Sequence, residues 1–332
     1  MRFLIIHPGF LGDAVFLGPG IRALKAKWPQ SWVGICLTPR GAPVGDLLPG
    51  CDEVLVYDKR GKDRGLRGLL RAGRRARALR PDIALISHPS MRSGLLGWLS
   101  RAPRRVGYAP FCTERLPFPK NEPFTSRLLR CAANVGASDG EPTLALRAPG
   151  QDPYVRAVLA QARPPIVGLV PGAEQPTKRW GAAAYGELGL HLQKRGASVV
   201  LFGGPAERGL TEEVRARAEL PVGSNLAGNS VQESLAVLSR CDVVIGGDTG
   251  LVHCARALGV PVAMIFGPTP VARHVFAERQ RAVHLSLECQ PCHRSGQLRC
   301  PLGHHRCMVD LSVAAVERVV SELCPQLALA QH

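Results

Sequence analysis

No apolar run in the 332 residues approaches the roughly 20 needed to cross a bilayer, which argues against a membrane-spanning helix. The first residues, MRFLIIHPGFLGD, lack the longer apolar core and small-residue cleavage site of a secretory leader, so a cytoplasmic protein is expected. Acidic residues are scarce: 26 Asp and Glu face 42 Lys and Arg, a formal charge of +16. Such an excess calls for an anionic partner, whether nucleic acid, a phosphorylated or carboxylated substrate, or an acidic membrane surface. Aromatics make up only 5% of the chain and few are interleaved with the basic residues, so base stacking on single strands is not indicated. No GxGxxG or GxxxxGK[ST] motif occurs at its turns, which argues against a nicotinamide enzyme and a P-loop NTPase. A paired DxD for holding a divalent ion on a diphosphate is also missing. Cysteine is not scarce, but eleven is an odd number scattered through both halves, which fits free thiols in a reducing compartment better than a disulfide framework.

What is present is alternation. Apolar runs at 2–7, 32–37, 53–57 and 82–87 are each bounded by Pro or Gly and separated by segments long enough for helices, the mark of a mostly parallel sheet. A Pro- and Gly-rich stretch at 142–165 reads as a hinge, after which alternation resumes: strands at 166–170 and 198–203, helices at 183–195, 206–218 and 232–241. Two α/β domains are therefore expected, 1–150 and 165–322, with ligands at the carboxyl ends of their strands.

The stretch CDVVIGGDTGLVHCARALGVPVAMIFGPTP, 241–270, reads as strand, tight turn, helix and strand. A helix beginning near Thr249 presents free N–H groups and a positive dipole end, where phosphates bind. Asp248, Thr249, Gly250 and His253 gather at this mouth. Singly, Asp248 or Thr249 reads as an N-cap and His253 as a half-buried surface histidine; together they read as a site. In the loop PGAEQPTKRWG, Lys178 is placed to reach a phosphate or to stand in solvent, with Trp180 packed beneath. Glu207, after the turn FGGP, reads as an acceptor for a sugar hydroxyl or as a first-turn helix acid.

Near the front, PGFLGDAVFLGPG sets Asp13 at the tip of a glycine-bracketed loop, either as a general base in a cleft or as an N-cap. Residues 59–80 carry ten Lys or Arg against one acid, Asp63, with Leu66, Leu69, Leu70 and Leu79 threaded through them. This is an amphipathic helix with a basic outer face, either a solvated surface or a patch for anionic headgroups or a polyanionic acceptor. The segment ECQPCHRSGQLRCPLGHHRCM offers Cys289, Cys292, Cys300 and Cys307 as tetrahedral zinc ligands. The second pair is spaced by six rather than two to four, and a metal-free structural loop is the expectation set ahead of a zinc knuckle.

FLGDAVFLGPGIRALKAKWP, PGAEQPTKRWG, GGDTGLVHCARALGVPVAMIFGPTP and the CQPC to HHRCM segment together resemble glycosyltransferase family 9, the lipopolysaccharide heptosyltransferases, over nearly the whole chain. The cysteine segment and the PGAE and KRW pieces look most like the heptosyltransferase II members. The resemblance implies a GT-B architecture, two Rossmann-like domains with parallel sheets facing a central cleft, the first for the acceptor and the second for the nucleotide sugar. It implies an ADP-heptose donor, inversion at the anomeric centre, no catalytic metal and no cofactor. Asp13 matches the family's base, Lys178 its phosphate-binding lysine, and Asp248, Thr249, Gly250 and His253 its donor turn. Glu207 is carried over more weakly, because FGGPAERG departs from the usual pattern. The implied acceptor is the lipid A-linked inner core, met by Arg60, Arg64 and Arg67 at the anionic inner leaflet, with the protein peripheral on the cytoplasmic face and no nucleic acid involved. Kept beside this are another GT-B transferase or an epimerase, and a non-catalytic nucleotide- or nucleic-acid-binding module.

Overall fold

The computed structural model describes residues 1–138, 140–150, 153–293 and 297–328. Residues 151–152 of the hinge stretch and 294–296 of the cysteine segment lie outside the described residues. The chain divides into two compact units, 1–147 with 272–275, and 148–271 with 276–332.

The first unit runs β1 (Arg2–Ile6), α1 (Leu11–Val15), α2 (Gly18–Lys27), β2 (Trp32–Leu37), α3 (Ala42–Gly45), β3 (Glu53–Val56), α4 (Gly65–Ala78), β4 (Ile83–Ile86), α5 (Met91–Leu99), β5 (Arg104–Gly107), β6 (Glu114–Arg115) and α6 (Ser126–Asn134). Its six strands are all parallel, in the order β3-β2-β1-β4-β5-β6. Strands such as FLII and IALI are apolar on both faces because helices cover both faces of a parallel sheet. The order reverses between β1 and β4, so the loops leaving these two strands open a crevice at their carboxyl ends.

Two expectations for this unit need correction. Asp13 does not sit in an open loop but in the one-turn helix α1, because its own carboxylate accepts the Phe10 N–H (2.9 Å) and closes the turn. In α4 the buried face is Gly68, Leu69, Ala72, Gly73 and Ala76, whereas Leu66 and Leu70 are exposed, at 71% and 40%. The small residues let α4 lie close against α5, with Leu99 beside Gly73, and that contact rotates Leu66 and Leu70 outward. The single acid of this basic segment, Asp63, is buried and holds Arg71 (3.1 Å) and Arg75 (2.7 Å), tying the helix to the turn before it.

The second unit continues with α7 (Pro153–Gln161), β7 (Ile166–Val170), α8 (Ala182–Lys194), β8 (Ser198–Leu201), α9 (Arg208–Arg217), α10 (Val231–Leu238), β9 (Val243–Gly247), α11 (Gly250–Ala257), β10 (Val262–Ile265), β11 (Gln280–Val283), α12 (Arg306–Val309) and α13 (Val313–Leu323). Its five strands are parallel in the order β11-β10-β9-β7-β8. The core joins Leu169, Ile245 and Ile265 of the sheet to Tyr185 and Leu188 of α8 and Val316 and Val320 of α13. Here the reversal falls between β7 and β9, the strands that lead into the Lys178 loop and the Asp248 turn. The two parallel-sheet α/β units are those of the GT-B class. Among the described residues, no helix is long and apolar enough to cross a membrane.

Candidate functional site

Each unit carries a candidate site at its own strand reversal, and each is described separately. In the first unit, a cavity of about 390 Å³ opens beyond the ends of β1 and β4, lined by Phe10, Asp13, Arg40, Lys59, Arg60 and His88 among others. Lys59 donates to the Pro8 carbonyl (2.8 Å) and Thr38 to that of Gly9 (2.6 Å), so the loop after β1 is pinned from two sides. The second oxygen of Asp13 lies 4.0 Å from Nη1 of Arg127, whose guanidinium stacks on Phe118 and Phe124. Asp13 is thus aimed into a basic cavity with one oxygen fixed by the backbone. Arg60 lines that cavity, while Arg64 and Arg67 stand exposed at the start of α4 and outside it.

Behind Asp13 lies a pair of histidines that sequence reasoning missed. His7, 2% exposed, exchanges a hydrogen bond with Ser87 (2.7 Å) and meets His88 edge-on at 5.5 Å. Burial lowers the His7 imidazole to about 3, and burial lowers His88 as well, so both are uncharged at neutral pH. Their sequence signal is faint, since the two histidines stand 81 residues apart, just past the ends of β1 and β4.

In the second unit the loop after β7 is held by its own backbone and by the cysteine segment. Arg179 donates twice to the Ala173 carbonyl (3.0 and 2.8 Å), Thr177 donates to Gln297, and His305 donates to Thr177 (2.9 Å). Trp180, 5% exposed, meets Tyr185 edge-on and donates to the Leu311 carbonyl, as a residue packed under the loop should. This frame brings Lys178 to Asp248, Nζ to Oδ2, at 2.8 Å. The other carboxylate oxygen accepts from His253 Nε2 at 2.9 Å. Lys178 is therefore neither free nor simply solvated, and His253, only 4% exposed, is not a half-buried surface residue. Burial lowers its pKa, outweighing the Asp248 carboxylate.

Thr249 is the extended residue before α11, and its side chain makes no capping bond. Capping by the Thr249 side chain, one of the plain alternatives drawn from sequence, does not occur. The first-turn amides of α11, from Gly250 onward, carry the positive end of the helix beside Lys178. Glu207 closes its own turn instead of standing open: Oε2 accepts the Gly204 N–H (2.7 Å), and Oε1 occupies the space that a side chain on Gly172 would fill. The cysteine segment docks through Gln290, which donates to Gly267 (2.6 Å), and through the amides of Cys292 and His293, which both donate to Pro268. Cys289, Cys292 and Cys300 are half-buried free thiols and Cys307 is buried.

The family model for glycosyltransferase family 9 (heptosyltransferase) matches residues 70–301, more than two thirds of the sequence. The chain belongs to glycosyltransferase family 9. Its curated relatives in the family include lipopolysaccharide heptosyltransferase 2 of Salmonella typhimurium, 24% identical over 351 residues and covering 97% of each chain. Among solved structures, the ADP-heptose LPS heptosyltransferase II of E. coli superposes with a TM-score of 0.78 at 22% identity, covering 98% of this chain and 99% of that one. The family 9 glycosyl transferase of Veillonella parvula gives 0.79 at 20% identity, covering 98% and 97%. This family 9 protein is accordingly a glycosyltransferase.

Proposed function

We propose that the protein transfers L-glycero-D-manno-heptose from ADP-heptose to the inner core of lipopolysaccharide, with inversion and without a catalytic metal. The observation that carries the reading is the pairing of family membership with two sites of complementary chemistry: a basic cavity holding Asp13, and a lysine, a carboxylate and a helix N-terminus clustered at Lys178, Asp248 and Gly250.

In this reading residues 1–150 take the acceptor and 165–322 the donor. Asp13 accepts the proton of an acceptor hydroxyl. The oxygen attacks the anomeric carbon as its bond to the diphosphate breaks, and ADP leaves from the opposite face. Charge growing on the diphosphate is met by Lys178 and the Thr249–Gly250 end of α11, with Asp248 and His253 holding the lysine and the sugar side of the pocket. Glu207 serves the ribose from its position beside Gly172. Arg60 meets the anionic core at the cavity, and Arg64 and Arg67, with exposed Leu66 and Leu70, meet an anionic inner leaflet from the cytoplasmic side. The cysteine segment acts as a structural clamp on the donor loop.

Mass analysis of a truncated core acceptor incubated with ADP-heptose tests the proposal, with UDP- and GDP-sugars run in parallel. One added heptose from the ADP donor is expected. Equal use of a UDP-sugar, or no product, would overturn it.

A further inference from the structure

Arg256, on α11, plays no part in the sites described above, yet it is among the largest fully buried side chains of the protein, at 2% exposure. It lies one helical turn beyond His253, on the same face. Its Nε donates to Oε1 of Gln280 (2.9 Å), and Nε2 of Gln280 donates back to the Arg256 carbonyl (3.1 Å). The Ala277 amide fixes that same Oε1 from the other side (3.3 Å), and the Phe276 ring covers the guanidinium at 4.7 Å. The guanidinium is thus held on two sides before it reaches anything in the site.

What it reaches is Nδ1 of His253, at 3.2 Å from Nη1. A guanidinium has only donors, so Nδ1 must be the acceptor and the single ring proton must sit on Nε2, from which it is donated to Asp248. A proton on Nδ1 would set two donors against each other. With the imidazole neutral, Asp248 keeps its full charge and draws Lys178 to 2.8 Å. Burial lowers Arg256 to about 10, which still leaves it charged at neutral pH.

We propose that Arg256 is a positioning residue of the donor site, which locks His253 as its uncharged Nε2–H tautomer and through Asp248 sets the place of Lys178. This inference rests on the donor-site reading above for its consequence, and on the hydrogen-bond geometry alone for the lock. A buried arginine whose only task was to fill space would leave the tautomer of His253 indifferent to its presence.

The test is the long-range ¹H–¹⁵N spectrum of histidine-labelled protein at pH 7, with the His253 signals assigned by their loss in His253→Gln. The wild type should show a bare Nδ1 and a protonated Nε2, and Arg256→Met should show mixed tautomers. In calorimetry Arg256→Met should bind ADP about tenfold more weakly, the size of a typical coupling between sites. Arg256→Lys, which still offers a cationic donor, should recover part of that loss. A wild-type His253 that is protonated on Nδ1 overturns the lock whether or not any variant folds. An unchanged tautomer in Arg256→Met, or ADP affinity equal to wild type in both variants, overturns the positioning role. Wild-type protein that binds no ADP removes the donor-site reading and the positioning role with it, while the spectrum still reads the lock separately.

Discussion

Replacing Asp13 with Asn separates chemistry from architecture. Asparagine keeps a side-chain oxygen that can accept the Phe10 N–H, so the turn that α1 depends on survives. The charge opposite Arg127 is lost, but that pair is spaced at 4.0 Å and partly open to solvent, with side chains 28% and 17% exposed. A pair of this kind contributes about 0–1 kcal/mol, which for a domain of this size moves the melting point by about 2–4 °C at most. Loss of a general base costs about 10² to 10⁴ in rate, or about 3–5 kcal/mol in the barrier. Asp13→Asn should therefore melt near wild type, bind ADP normally and turn over at least about a hundredfold more slowly. Asp13→Ala should be as slow and lose about 1 kcal/mol more stability, because the turn also loses its acceptor. Turnover is read by product mass and stability by calorimetric melting. Transfer by Asp13→Asn at the wild-type rate would refute the reasoning, as would a rate loss matched by collapse of the fold.

Three further outcomes follow from the geometry. Lys178→Ala should weaken ADP binding about 10- to 100-fold in titration calorimetry, the worth of a charge-assisted hydrogen bond; unchanged affinity would count against the phosphate role. His7 holds a folded pKa of about 3 against about 6.5 unfolded, so the unfolded chain binds the extra proton and stability falls as pH drops through 6.5. Relative to His7→Asn, the wild type should lose about 2 kcal/mol between pH 7 and pH 5 in urea melts, and parallel curves would show that His7 does not resist protonation. Gly94→Ala would push a methyl group into the Pro110 carbonyl, so α5 must shift, at a cost of about 1–3 kcal/mol in denaturant unfolding.

The sequence makes the sheets legible because a parallel strand buried on both faces is a short apolar run whatever its partners. The strands at 32–37 and 166–170 match their apolar runs for this reason. The β9-α11-β10 crossover was legible too, since its turn and stop are written in Gly246, Gly259 and Pro261. Side-chain partnerships were not. Lys178 meets Asp248 across 70 residues and His7 meets Ser87 across 80, and only the strand order β9-β7 or β1-β4 brings them together. Leu66 and Leu70 show the limit of spacing arguments, because glycine and alanine, not leucine, form the packed stripe of α4. Asp13 and Glu207 show another limit. Each carboxylate folds back on an amide three residues earlier, a local bond that a reading of loop and helix ends does not separate from an open acid.

Residues 272–275 belong with the first unit although they lie far along the chain. His274 rests against Phe16 and Phe124, and Arg273 covers the Phe124 ring at 4.2 Å and donates to the Glu122 carbonyl. A fragment cut at residue 147 would therefore leave two aromatic rings uncovered, and a fragment starting at 148 would carry a four-residue plug with nothing to plug. Anyone wanting the first unit in isolation has to graft that tetrapeptide back or expect a sticky, poorly behaved product.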